Sequence, residues 1–209
     1  METPGAQPYP ASLDIEYPDR ELSRLTTLVR IILIIPVAIM LSLLSGFGGT
    51  HSDGSTGISA GGGLFLATVL MILFRQRYPR WWFDWQLALT RFTIRVETYL
   101  CLMTDEYPAL EEEQSVRVDL TYPDVKADLN RWLPLVKWLL ALPHYVVLVV
   151  LSLACLFCVI ASWVAILFTG RYPRSLFDFN AGVFRYWLRV IAYGWLLTTD
   201  RYPPFSLKA

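Results

Sequence analysis

The stretch RYPRWWFDWQLALTRFTIRVETYL, residues 77–100, recurs as RYPRSLFDFNAGVFRYWLRVIAYG, residues 171–194. In both, Arg-Tyr-Pro-Arg is followed at equal spacing by Phe83-Asp84 or Phe177-Asp178. Arg91 and Arg95, or Arg185 and Arg189, come next, and then Tyr99 or Tyr193. The match continues in both directions. Thr104-Asp105 and Tyr107-Pro108 answer Thr199-Asp200 and Tyr202-Pro203, and Tyr17-Pro18-Asp19 answers Tyr122-Pro123-Asp124. Arg24, Arg30 and Pro36 answer Arg131, Lys137 and Pro143. So many matches in one order imply an internal duplication, which an inspection for repeats should settle before anything else. The expected division is a flexible N-terminus over 1–11, a first repeat over 12–110 and a second over 111–209.

Composition sets the environment. Hydrophobic residues make up 55% of the chain, and the mean hydropathy of +0.42 exceeds that of an ordinary soluble domain. The net charge is zero, which disfavours a nucleic-acid binder. None of the 18 Lys and Arg falls in 31–74 or 138–170. Roughly 20 apolar residues of helix cross a bilayer core, so each stretch has room for two spans. The expectation is a transmembrane hairpin at about 24–74 and another at about 131–168, four spans in all. The first turns through a Gly, Ser and Thr-rich loop, 46–63, that holds His51 and Asp53; the second turns near Ser152. Residues 1–20 carry Pro, Asp and Glu without an apolar core, so no cleaved secretory segment is expected there.

The doubled pattern of a Tyr-Pro segment, an apolar hairpin, Arg-Tyr-Pro-Arg, Phe-Asp and an Arg-x-x-x-Arg helix resembles the bacterial membrane family named domain of unknown function 4389. The resemblance runs over about residues 12–205. It implies an architecture and brings no activity with it.

Basic residues flank the apolar stretches and are absent from the 46–63 loop. The positive-inside rule then puts both termini and the arginine-bearing segments on the cytoplasmic side of a bacterial inner membrane, in a multi-pass arrangement. The segments at about 80–103 and 174–198 mix Trp, Phe and Tyr with Asp and Arg. Crossing the bilayer would bury two guanidiniums in each, at roughly 2.5–3.5 kcal/mol apiece. An amphipathic helix lying in the interface fits better; the rival is a six-span inverted repeat of transporter type. Ahead of the apolar stretches, Ser12–Glu16 and Val116–Thr121 alternate apolar and polar, the period of a half-exposed strand. Such strands suit pairing with each other on the cytoplasmic side. The expected class is an all-α membrane protein of two tandem repeats, each a hairpin plus an interfacial helix, with short extended segments.

Two sets of residues attract attention. Arg77, Arg80, Arg171 and Arg174 flank a Tyr-Pro corner, where tyrosine sits at headgroup level and arginine reaches lipid phosphate. Asp84, Arg91 and Arg95, with Asp178, Arg185 and Arg189, fall along one helical face. The aspartates are candidates for ion pairs, and the eight arginines are candidates for lipid or anion binding. Cys155-x-x-Cys158 lies in an apolar run and reads as packing. His144 has Val37 as its counterpart and reads as a hydrogen-bonded packing residue. No nucleophile with its base, phosphate loop or metal-ligand cluster is visible, so neither a catalytic site nor a cofactor is expected. The expected function is a non-enzymatic membrane scaffold or accessory subunit. Its partners would be membrane lipids and a membrane protein or a second copy. The alternative is a small oligomeric transporter or channel with a pseudo-two-fold pathway.

Overall fold

A computed structural model describes residues 9–18, 30, 34–37, 39, 60–109, 114–125 and 127–208. The expected tail as far as residue 8, Arg24, the loop with His51 and Asp53, and most of the first hairpin lie outside the described residues. The chain is mostly helical, with a two-stranded sheet. In order come β1 (Ala11–Ile15), α1 (Ala60–Leu70) with a π-helical turn (Met71–Arg75), α2 (Arg80–Leu100) and β2 (Val116–Leu120). The remaining elements are α3 (Pro134–Leu140), α4 (Leu142–Thr169) and α5 (Arg174–Gly194).

The extended segments do pair, so the class is not all-α. β1 and β2 run antiparallel with Leu13 facing Val118, Ala11 facing Leu120 and Ile15 facing Val116. Leu13 and Val118 stand equally far before Tyr17 and Tyr122, so the ladder is symmetric about that central pair. Both strands alternate buried and exposed residues. The inward residues enter a core with Phe83, Ile94, Ala181, Leu188 and Ala192. Burying a Val, Leu or Ile side chain contributes roughly 1.5–3 kcal/mol, against about 1 kcal/mol for a ladder hydrogen bond. Packing on the helices therefore holds the sheet more than pairing does.

β1 lies along one side of α5. Tyr9 donates from its hydroxyl to the Arg189 and Arg201 carbonyls (3.4 and 3.1 Å), Arg185 Nε donates to the Leu13 carbonyl (3.1 Å), and the Tyr17 hydroxyl donates to the Tyr172 carbonyl (2.5 Å). α4 runs antiparallel along the other side of α5. His144 Nδ1 meets the Tyr186 hydroxyl at 2.5 Å, Ser152 and Cys155 face Val183 and Trp187, and Tyr145 touches Gly194. On α5, Val183, Tyr186, Trp187 and Gly194 share one helical face, opposite Ala181, Arg185, Leu188 and Ala192. The order of layers is therefore sheet, α5, α4. In the other half, β2 lies on α2, with Arg91 Nε donating to the Val118 carbonyl (2.8 Å). Thr68 of α1 accepts from Trp82 and Gln86 of α2 (3.0 and 3.2 Å).

The turn expected near Ser152 does not form: α4 is unbroken from Leu142 to Thr169. No Gly or Pro lies between Pro143 and Gly170, and a lone serine in an apolar run does not stop a helix. The second hairpin therefore gives way to one helix, with α3 and Ala141 leading into it. Ala141 has helical dihedrals, and Pro143 sits in the first turn, where its missing N–H is tolerated. By length and composition α4 is apolar enough to cross a membrane.

α1 and its π turn end on Gln76 with φ 46°, whereas α4 ends on Gly170 with φ 72°. A side chain in the left-handed region costs about 1–2 kcal/mol, which glycine avoids. Gln76→Gly should accordingly stabilise the fold by up to about 1 kcal/mol and Gly170→Ala should destabilise it by a similar amount. Thermal unfolding in detergent, followed by circular dichroism, checks the two opposite shifts.

Candidate functional site

Each Arg-Tyr-Pro-Arg segment makes the step from an outer helix to an inner one, and proline starts the inner helix by supplying its fixed φ. Tyr78 and Tyr172 are buried at these steps. The Tyr78 hydroxyl bonds the Gln86 side chain and donates to the Leu196 carbonyl (3.0 Å), while Asn180 Nδ2 donates to the Tyr172 hydroxyl (2.8 Å). A tyrosine from the other half of the chain closes each corner. Tyr17 donates to the Tyr172 carbonyl, and Tyr122 donates to the Tyr78 carbonyl. Their rings then carry guanidiniums, with Arg174 4.7 Å above Tyr17 and Arg80 5.2 Å above Tyr122. Phe177 and Phe83 press edge-on against the same two rings. Arg77, Arg80, Arg171 and Arg174 are all exposed. Arg80 and Arg174 thus hold fixed positive charge at the surface, in a form that suits phosphate oxygens.

The Asp–Arg–Arg stripes do different work. Arg91 joins its carbonyl bond to Val118 with an ion pair to Asp119 at 3.0 Å. Among the described residues, Arg185 holds the Leu13 carbonyl through Nε without an ion pair. Arg95 donates to the Ala109 carbonyl (2.7 Å), and Arg189 to the Ser206 and Lys208 carbonyls (3.1 and 2.7 Å). These four arginines fasten strands and trailing segments to the helices. The expected pairing of Asp84 and Asp178 with them is not formed. Both carboxylates are exposed and enter none of the ion pairs among the described residues. Seven residues put Asp84 and Arg91 on one face but about 10.5 Å apart along the axis.

Residues 132–206 match the family model described as a domain of unknown function (DUF4389). The DUF4389 match takes in α3, α4, the second corner and α5, one occurrence of the pattern. No curated protein and no solved structure matches the chain.

Within the DUF4389 segment lies a pair that the sequence reading missed. Lys137 is fully buried, forms an ion pair with Asp200 at 2.7 Å and donates to the Thr199 carbonyl at 2.8 Å. Arg30 pairs with Asp105 in the same way and donates to the Tyr99 carbonyl (2.7 Å). Each cation also lies over a tyrosine, Tyr193 or Tyr99. The signal was present: Arg30 matches Lys137, and Asp105 matches Asp200. His144 is buried, bonded to Tyr186 and stacked on Phe205 at 4.3 Å, the packing role expected of it.

A cavity of about 250 Å³ opens between α2, α4 and α5, lined by Glu97, Cys101, Ser152, Cys155, Phe184 and Trp187. Among the described residues no cation pairs with Glu97, and burial pushes its carboxyl up from 4.5 to about 7. Among the described residues, no cluster of three His, Cys, Asp or Glu is placed to hold a metal ion.

The raised carboxyl gives stability a pH dependence. The folded state keeps its proton where the unfolded state has lost it, so folding takes up a proton between about pH 4.5 and 7. The contribution is fully present below 4.5 and lost as pH rises through about 7. Glu97→Gln should flatten this part of the curve and raise stability at neutral pH. Chemical denaturation across that range measures both effects, and an unchanged slope would remove Glu97 as the cause.

Proposed function

We propose that the chain is a non-enzymatic membrane module built from two tandem copies of one unit about an approximate two-fold axis normal to the sheet. It is a scaffold or accessory subunit that binds anionic lipid through the corners at Arg77, Arg80, Arg171 and Arg174. The observation that carries this reading is the outer surface of α4. Val146, Val149, Val150, Leu153, Phe157 and Phe168 are exposed on the side away from α5, and Leu66, Leu70 and Phe74 of α1 are exposed likewise. Phe74 and Phe168 hold equal places before the two corners and stand 70% and 80% exposed. An apolar surface of this extent belongs against lipid or another protein.

Support for the duplication comes from contacts that occur in pairs. The ladder is symmetric, each inner helix grips the opposite strand, and each corner is closed by the opposite tyrosine. The basic corners favour the cytoplasmic face of a bacterial inner membrane, where anionic lipid and positive residues meet.

Each arginine near an anionic surface contributes about 1 kcal/mol. Arg80→Gln with Arg174→Gln should then weaken partition onto phosphatidylglycerol vesicles by roughly thirtyfold. Partition onto phosphatidylcholine should change little, because the apolar surface is untouched. Co-flotation measures both, and equal losses on the two lipids would show that the corners do not select anionic headgroups.

A further inference from the structure

We infer that the bilayer meets one face of this chain only, with α4 and α1 lying along the surface of one leaflet, their outer sides sunk among the acyl chains. This rests on the membrane reading above and concerns how the chain sits in lipid.

The layers exclude the upright alternative for a single copy. Arg185, which holds the middle of β1, stands on the opposite face of α5 at the level of Val183 and Trp187, and these two line one cavity with Ser152 and Cys155 at the middle of α4. The centre of the sheet is therefore level with the centre of α4. If α4 stood across the membrane, Asp14, Arg117 and Asp119 on the exposed side of the sheet would stand at mid-bilayer depth. So would the outer edges of a two-stranded sheet, and lipid tolerates neither open strand edges nor isolated charges.

Laid flat, the same layers fall into register with a leaflet. The exposed residues of α4 recur every three or four positions on the side opposite His144, Cys155, Ser162 and Ile166, which are buried. At 28 residues α4 is about 42 Å long, more than a hydrocarbon core of about 30 Å requires. An axis normal to the sheet, the one that exchanges two antiparallel strands, turns the exposed side of α1 the same way as that of α4. The corners make the step between the outer and inner layers, so Arg77, Arg80, Arg171 and Arg174 come level with the phosphates. Trp132 and Trp138 stand exposed at the start of this surface and Trp81 at the first corner, the aromatic rim of an interfacial helix. Apolar side, cationic rim and charged far side together select a lipid leaflet as the occupant.

Nitroxide labels test the orientation. Single cysteines at Val146, Leu153, Ile160 and Phe168, in a chain whose Cys101, Cys155 and Cys158 are replaced by alanine, are reconstituted in vesicles of phosphatidylethanolamine and phosphatidylglycerol. Oxygen and nickel-chelate collision rates then give the depth of each label. Circular dichroism and co-flotation confirm that each variant is folded and bound. The expected result is one common depth below the phosphates for all four labels. A profile deepest at Leu153 and Ile160 and shallow at Val146 and Phe168 would overturn the flat arrangement while leaving the membrane reading in place. Folded chains that stay in water, with all four labels open to the chelate, would end the membrane reading itself. Dipolar broadening between labels, with no access from lipid, would show a second copy on this surface and overturn the inference.

Discussion

A two-stranded ladder of this length does not hold together by itself in water, yet β1 and β2 are where the halves of the chain meet. Two crossed guanidinium–carbonyl bonds fix the ladder in place. Arg91, from the first half, holds Val118 of the second, and Arg185, from the second half, holds Leu13 of the first. A hydrogen bond to a charged donor contributes about 1.5–3 kcal/mol, and losing the donor leaves a strand carbonyl short of a partner. Arginine suits the task because Nε and Nη2 point the same way, so Arg91 reaches Val118 and Asp119 together. Neither half completes its own strand packing. The unit that folds is the pair.

The same exchange at the corners sets the heights of the layers. Tyr17 and Tyr122 each leave their own half to close the opposite Arg-Tyr-Pro-Arg step, and the rings then seat Arg174 and Arg80. Buried cations secure the segments that trail the inner helices. Arg30 and Lys137 hold Asp105 and Asp200, and each also receives a backbone carbonyl and a tyrosine ring. A buried charge is costly unless such partners surround it. Among the described residues the outer side of α4 carries no charge and is left wholly apolar.

Local chemistry made much of this legible in the sequence. Alternation over Val116–Leu120 gave a strand, Arg-Tyr-Pro-Arg gave a helix boundary, and α2 and α5 were legible as helices. The interfacial position expected of them does not hold for α5, which is buried between the sheet and α4. What the sequence did not reveal depended on distance through space. Arg91 and Arg95 share a helical face whether they bind phosphate, aspartate or a carbonyl, and only the position of the strand decides. The Glu97 cavity joins three helices far apart in the chain, so no spacing announces it. The turn at Ser152 was inferred from a span count, which presumed that helices of this length cross the bilayer. A run without Gly or Pro has its own preference, and it stayed helical.

That presumption bears on the difference between the halves. Counted from Pro36 and back from Arg77, the glycine-rich stretch of the first half falls opposite the middle of α4. If both halves stood upright, with the first turning back as its sequence led one to expect and α4 running straight, they would cross a different number of times. Tyr-Pro segments that match in sequence would then stand on opposite sides of the bilayer, and the tyrosines that close the corners could not reach across. With α4 lying flat the two corners stand at one level, and both halves retain the exchange of tyrosine and arginine on which the ladder depends.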